Sequence, residues 1–264
     1  MDKRALAQLL CRVLFLAFAL VFILSAILLA SRLRREKEEQ QAFDQLARMV
    51  PSAPESEAAP PAEEPAAQQE EEPAAVDYDQ FREMNPDFYG WLSIEDTSVN
   101  YPVMYQPEKK DYYLNHAFDG SSSRSGVPYI DEECFPGCGN YLIYGHNMKN
   151  GTMFADLLSY QEESFWRTHP TISFATPDGP GIYEVIGAFT SRVYTSEDEG
   201  VFRYYRYTDL TDPDTFAEYI ALVKKSARYD TGVTAEYGDQ LITLSTCSYH
   251  TQNGRFAVVA RKTD

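Results

Sequence analysis

The stretch ITLSTCSYHTQNGRF, residues 242–256, ends an apolar, β-prone run on a cysteine and opens another such run with an arginine eight residues later. A side chain at the end of a strand, beside a loop, is held by the ladder yet open to a reactant, which suits a nucleophile. Cys247 holds that position. Burial as a small apolar filler is the commoner fate of a free cysteine, so position by itself leaves both readings open. A thiol nucleophile must lose its proton and the departing group must gain one; histidine does both near neutral pH. Of the four histidines, His146 in NYLIYGHNMKNG occupies the same kind of place as Cys247, the end of a strand-like run and the start of a loop. His250 is near Cys247 only in sequence, and His116 and His169 read as capping or half-buried residues. No HExxH or mixed His/Cys metal spacing occurs.

Acyl transfer at a peptide carbonyl builds an oxyanion in the transition state, and donors aimed at it carry much of the catalysis. Arg255 is suited to this, because a guanidinium stays charged and offers several donors in one plane. If QLITLSTC and RFAVVAR pair antiparallel across residues 248–254, Cys247 and Arg255 end near one another. Taken alone, Arg255 reads more simply as a surface arginine after an Asn-Gly turn.

These residues need a rigid frame. Eight short β-type runs follow residue 77: GWLSIE, VNYPVMY, GVPYID, NYLIYG, TISFAT, YEVIGAF, QLITLSTC and RFAVVAR. Breakers such as Pro177-Asp178-Gly179 and Asn253-Gly254 separate several of them. A short helix is expected at YDQFREMN, stopped by Asn85-Pro86, and another at TMFADLLSY. A longer one is expected at DPDTFAEYIALVKKSARY, with Asp212 as N-cap and Pro213 at the first helical position. Many short strands with few helices predict a mainly β domain, a barrel or sandwich with peripheral helices.

Residues 13–30, VLFLAFALVFILSAILLA, hold no charge and one serine over eighteen positions, enough to cross a bilayer. A cleavable signal peptide is the competing reading; it calls for a shorter apolar core and a clear small-residue cleavage site, so an uncleaved anchor is expected. Basic residues flank both ends, so charge does not set its orientation. The expected order is therefore an N-terminal tail at 1–12, a transmembrane anchor at 13–30, a polar juxtamembrane helix at 31–50, a linker at 51–76 and a folded domain at 77–264. The linker carries six prolines, eight alanines and seven glutamates, which cannot bury a core and should form an extended spacer. The chain carries a formal charge of −17, and residues 77–264 contribute most of it, with 15 basic against 28 acidic groups, or −13. Such a surface excludes nucleic acid as a general partner. Cys134 and Cys138 form one C-x3-C in ECFPGCG. A single such pair lacks half of a zinc site, and a disulfide and two free thiols both remain open.

TLSTC at 243–247, YGHN at 144–147 and NGRF at 253–256, in that order, resemble the sortase signature. The stretches NPDFYGWLSI, YYLNHAF and NMKNGTMFADL resemble the class B branch, as does the long helix between YEVIGAF and QLITLSTC. The resemblance implies a closed β-barrel of about eight strands. It implies Cys247 as nucleophile, His146 as general acid/base and Arg255 as substrate and oxyanion donor. Ser245, Thr246, Tyr144 and Asn115 would line the substrate pocket. No cofactor or metal is implied. The implied partners are secreted proteins bearing a C-terminal sorting motif and an amine acceptor, from a peptidoglycan precursor or a pilin lysine. Such chemistry sets the N-terminus in the cytoplasm, residues 13–30 in the cell membrane and the catalytic domain outside. Two rivals are a cysteine hydrolase, disfavoured in its papain-like form because His146 precedes Cys247, and a non-catalytic wall-binding or adhesion module on a stalk.

Overall fold

The computed structural model describes residues 3–50 and 76–263. The chain divides into two compact units, residues 1–44 and 45–264. The first is one continuous helix for almost its whole length: α1 runs Lys3–Ala47, so the expected span and juxtamembrane helix join without a break. Its most apolar eighteen-residue window has a mean hydropathy of 2.8, long and apolar enough to cross a membrane. Phe15, Phe18 and Phe22 stand 73, 73 and 75% exposed on it, as lipid-facing side chains would. The expected linker, apart from Val76, lies outside the described residues.

The second unit is a closed barrel of eight strands. They are β1 Phe88–Ser93, β2 Asn100–Met104, β3 Tyr129–Ile130, β4 Asn140–Tyr144, β5 Thr171–Ala175, β6 Ile182–Arg192, β7 Leu241–Cys247 and β8 Gly254–Lys262. Each contains or overlaps one of the expected runs. Their order around the barrel is β1-β2-β3-β4-β7-β8-β6-β5. Closure leaves no unpaired edge. β4 and β7, far apart in sequence, lie side by side and parallel, whereas β7 and β8 form an antiparallel pair.

Helix α2, Tyr78–Met84, begins at Asp77, whose carboxylate accepts from Gln80 N at 3.0 Å, and ends at Asn85 ahead of Pro86. The expected helix over 152–160 is not an α-helix. Met153 takes a left-handed φ of 59°, which no helix interior tolerates, and the chain then winds as a tighter 3-10 turn over Ala155–Gln161. A short α3, Glu163–Thr168, follows; one and a half turns leave too few apolar positions to show a helical period. Helix α4, Pro213–Ser226, starts as expected: Asp212 accepts from Thr215 N at 2.8 Å and Pro213 sits in the first turn. Phe216, Tyr219, Ile220 and Val223 form its buried face. That face lies against β6, where Gly187 permits the approach: a Cβ there would stand 3.0 Å from the Ala227 Cβ.

Alternation along β7 puts Thr243, Ser245 and Cys247 on one face. The Tyr219 hydroxyl on α4 meets Thr243 Oγ1 at 2.6 Å, and the Tyr204 hydroxyl, from a turn just before α4, meets Ser245 Oγ at 2.7 Å. The chain between β6 and β7 therefore covers the face that ends in Cys247.

Candidate active site

Cys247 is the last residue of β7 and lies directly across from Arg255, the second residue of β8. Ser248 N donates to Gly254 O at 3.0 Å, so that pair is hydrogen-bonded. The neighbouring Cys247–Arg255 pair then falls at a non-hydrogen-bonded position, where Cα atoms approach to about 4.5 Å and side chains stand closest. Both residues are half-buried. The turn between them is tight: Asn253 takes a φ of 54°, and a Cβ on Gly254 would stand 2.2 Å from Ser248 O. Asn-Gly is required here because the first residue must tolerate the left-handed region and the second must have no side chain.

His146 reaches the same place from the other flank. The last β4–β7 pair is Tyr144 with Ser245. His146 and Cys247 each stand two residues beyond that pair, His146 in the loop that follows β4 and Cys247 at the end of β7. Three bonds bind the His146 loop to the end of β7. Gly145 N donates to Ser245 O at 3.1 Å, Thr246 Oγ1 donates to Gly145 O at 2.7 Å, and Asn147 Nδ2 donates to the Cys247 carbonyl at 3.0 Å. His146 Nε2 lies 2.9 Å from the Leu114 carbonyl. A carbonyl only accepts, so Nε2 carries the proton and Nδ1 is the nitrogen left to exchange one.

Arg255 Nη1 donates to the adjacent Gly254 carbonyl at 3.1 Å. Among the described residues no carboxylate lies within ion-pair range of it, although the domain is acidic. A half-buried guanidinium without a carboxylate partner is available to an external carbonyl or oxyanion.

The arrangement thus brings a thiol, a backbone-oriented imidazole and a guanidinium to one end of three adjacent strands. The sortase domain family matches residues 92–263. The chain belongs to the sortase family.

The match to sortase B of Listeria monocytogenes is 35% identical over 170 residues, covering 63% of this chain and 65% of that protein. Sortase B of Staphylococcus aureus is 29% identical over 188 residues, covering 70% of this chain and 73% of that one. The matched part is therefore a little under two thirds of the Listeria protein's length. In three dimensions the chain superposes on a Staphylococcus aureus sortase B–substrate complex with a TM-score of 0.70 and 24% identity, covering 88% of this chain and 99% of that one. That likeness establishes the same barrel fold.

The other residues singled out from the sequence take varied positions in this sortase. Ser245 and Thr246 are 1% and 2% exposed, with both hydroxyls engaged, on Tyr204 and on the Gly145 carbonyl. Tyr144 closes β4 with its ring 5.6 Å from that of Tyr129, and burial, reinforced by the Asp131 carboxylate, holds its phenol above the usual range. Asn115 is exposed; its neighbour Leu114 supplies the carbonyl that meets His146. Two further residues, not singled out from the sequence, take part. Asn147 ties the His146 loop to Cys247. Tyr204 is buried beside Ser245, and burial pushes its hydroxyl up to about 12, against the Ser245 hydrogen bond and the Arg255 charge, which pull it down. Asn147 stands next to a predicted site residue and was open to notice; Tyr204 is one tyrosine among nineteen and only the fold singles it out.

Proposed function

We propose that this sortase is a membrane-anchored class B transpeptidase, with residues 13–30 in the membrane and the barrel outside the cell. The Cys247 sulfur attacks the scissile carbonyl of a sorting motif near the C-terminus of a secreted protein. His146, oriented through Nε2 by the Leu114 carbonyl, uses Nδ1 to take up the thiol proton and deliver it to the departing amine. Arg255 donates to the oxyanion that forms on the carbonyl. The product is a thioacyl-enzyme, and a second amine, from a peptidoglycan precursor or a pilin lysine, displaces the sulfur and restores the thiol. Ser245, Thr246, Tyr144 and Asn115 flank the route by which the motif approaches. The observation that carries this reading is the cross-strand pairing of Cys247 with an Arg255 that has no carboxylate partner among the described residues.

The test uses the full chain in detergent, a panel of sorting peptides and an amine acceptor, with mass spectrometry of the protein. A peptide-sized thioester on Cys247, absent in Cys247→Ala and discharged by the amine, is the expected result. Discharge by water alone, whatever amine is offered, would make the enzyme a hydrolase. No adduct with any peptide, together with a Cys247 inert to small thiol reagents, would replace the reading with a non-catalytic wall-binding module.

A further inference from the structure

Three of this chain's cysteines have described side chains, and the active site uses only Cys247. The other two, Cys134 and Cys138, lie in the connection from β3 to β4. Both are buried, at 2% and 0% exposure, and both thiols are free. Both sulfurs approach one carbonyl oxygen: Cys134 Sγ lies 3.5 Å and Cys138 Sγ 3.2 Å from that of Asn140. The intervening Phe135-Pro136-Gly137 is exposed. Gly137 takes a φ of 84° with open space where a Cβ would be. Cys138 N donates back to Phe135 O at 3.0 Å. The two sulfurs therefore face each other beneath a surface turn.

We propose that Cys134 and Cys138 are a reversible cross-linking site, oxidised to an intraloop disulfide by a small-molecule or protein disulfide. The Cys138 thiolate attacks one sulfur of that disulfide and expels the other as a thiolate, giving a mixed disulfide. Cys134 gives up its proton and attacks the Cys138 sulfur, expelling the second thiol. Two electrons pass to the oxidant, which leaves as two thiols. The roles follow from the pair's asymmetry: the hydrogen bond between the thiols holds Cys138 below and Cys134 above the ordinary thiol range, so Cys138 is the more readily ionised attacker. The exposed turn is the route of access.

The linkage would staple the base of the strand that leads to His146. Asn140, the first residue of β4, bonds through its side chain to Tyr207 O at 2.8 Å and accepts from Thr243 Oγ1 on β7 at 2.9 Å. Gly139 O accepts from Leu241 N, the first residue of β7, at 2.8 Å. A fixed turn therefore holds the starting register of the two parallel strands. S–H groups are weak donors, so little is lost when both sulfurs give up their protons.

The experiment equilibrates the full chain in detergent across a series of reduced-to-oxidised glutathione ratios. It quenches with an alkylating agent, maps peptides by mass spectrometry and follows thermal unfolding. A 134–138 disulfide is expected at the oxidising end, reversed by dithiothreitol. Closing a ring this small corresponds to a rise in Tm of about 4–8 °C for a domain of this size. The double variant Cys134→Ser/Cys138→Ser should lose that rise; if it fails to fold, the peptide map of the unmutated chain decides. Sulfurs that stay fully alkylatable on unfolding at every ratio, or that form only glutathione adducts, overturn the proposal, as does an unchanged rise in the double variant. No activity is read, so the result stands apart from the transpeptidase reading.

Discussion

Alanine at Gly145 should disable the proposed transpeptidation through His146 without altering any side chain assigned to the reaction. The added Cβ would stand 2.5, 2.6 and 2.9 Å from three atoms of the Phe154 ring, where ordinary contact is 3.4–4 Å. One partner must move by roughly 1 Å in an interior packed like a crystal. Phe154 is fully buried, and its own N–H donates to the His146 carbonyl at 2.8 Å, so it cannot retreat without drawing the His146 loop along. Gly145 is not among the residues with positive φ, so the cost is steric, not conformational. Overpacking of this kind costs about 1–3 kcal/mol, seen as a fall in Tm of several degrees. A displacement of the imidazole by about 1 Å should lower kcat/KM roughly 10²-fold. The assay is transpeptidation of the fluorogenic sorting peptide that best loads Cys247, run beside a thermal melt. Gly145→Ala/Phe154→Leu, which shrinks the opposing ring, should recover part of both losses. A single variant with native rate and native Tm would refute the reasoning, because it would mean that the His146 loop is not held by this contact.

Arg255→Lys keeps the charge and loses the planar fork, so kcat/KM should fall about 10²–10³-fold; a native rate in the same assay would remove Arg255 from the oxyanion role. Tyr204→Phe leaves the buried Ser245 hydroxyl without its 2.7 Å partner and should cost about 1–3 kcal/mol in a denaturant titration. An effect within error would show that the hydroxyl finds another partner. The folded chain holds Tyr204 at about 12, above the roughly 10 of a free tyrosine. The folded state thus keeps a proton that the unfolded state releases: the stability is fully present below pH 10 and is lost as pH rises toward 12. Tyr113, Tyr160, Tyr183 and Tyr219 are raised by burial in the same direction. Tm should therefore fall above pH ~10, with tyrosinate absorbance appearing together with unfolding; tyrosinate that forms fully in a chain that stays folded would contradict it.

Local pattern in the sequence was enough for the elements. Eight β-prone runs between turn residues became eight strands, because β-branched and aromatic residues bounded by Gly, Pro and Asn leave the backbone few other choices. The cap and first turn of α4 were equally readable, since Asp212 and Pro213 act within one turn. The meeting of Cys247 with Arg255 was legible as a conditional expectation, because two runs that pair antiparallel across a short loop fix their own register. Where a single residue overrode the pattern, as Met153 did with its left-handed φ, the expected helix became a 3-10 turn. What the sequence by itself determined, then, is the set of strands and the apolar N-terminal helix; the cross-strand thiol–guanidinium pair followed only on the condition that the last two runs pair antiparallel, which the barrel fulfils. Only the tertiary structure decided that β4 lies parallel to β7, which sets His146 beside Cys247. It alone brought Leu114 O to His146 and Tyr204 to Ser245. Those contacts join residues 32 and 41 positions apart. No local propensity encodes such a distance; barrel closure, through the burial of the whole core at once, does.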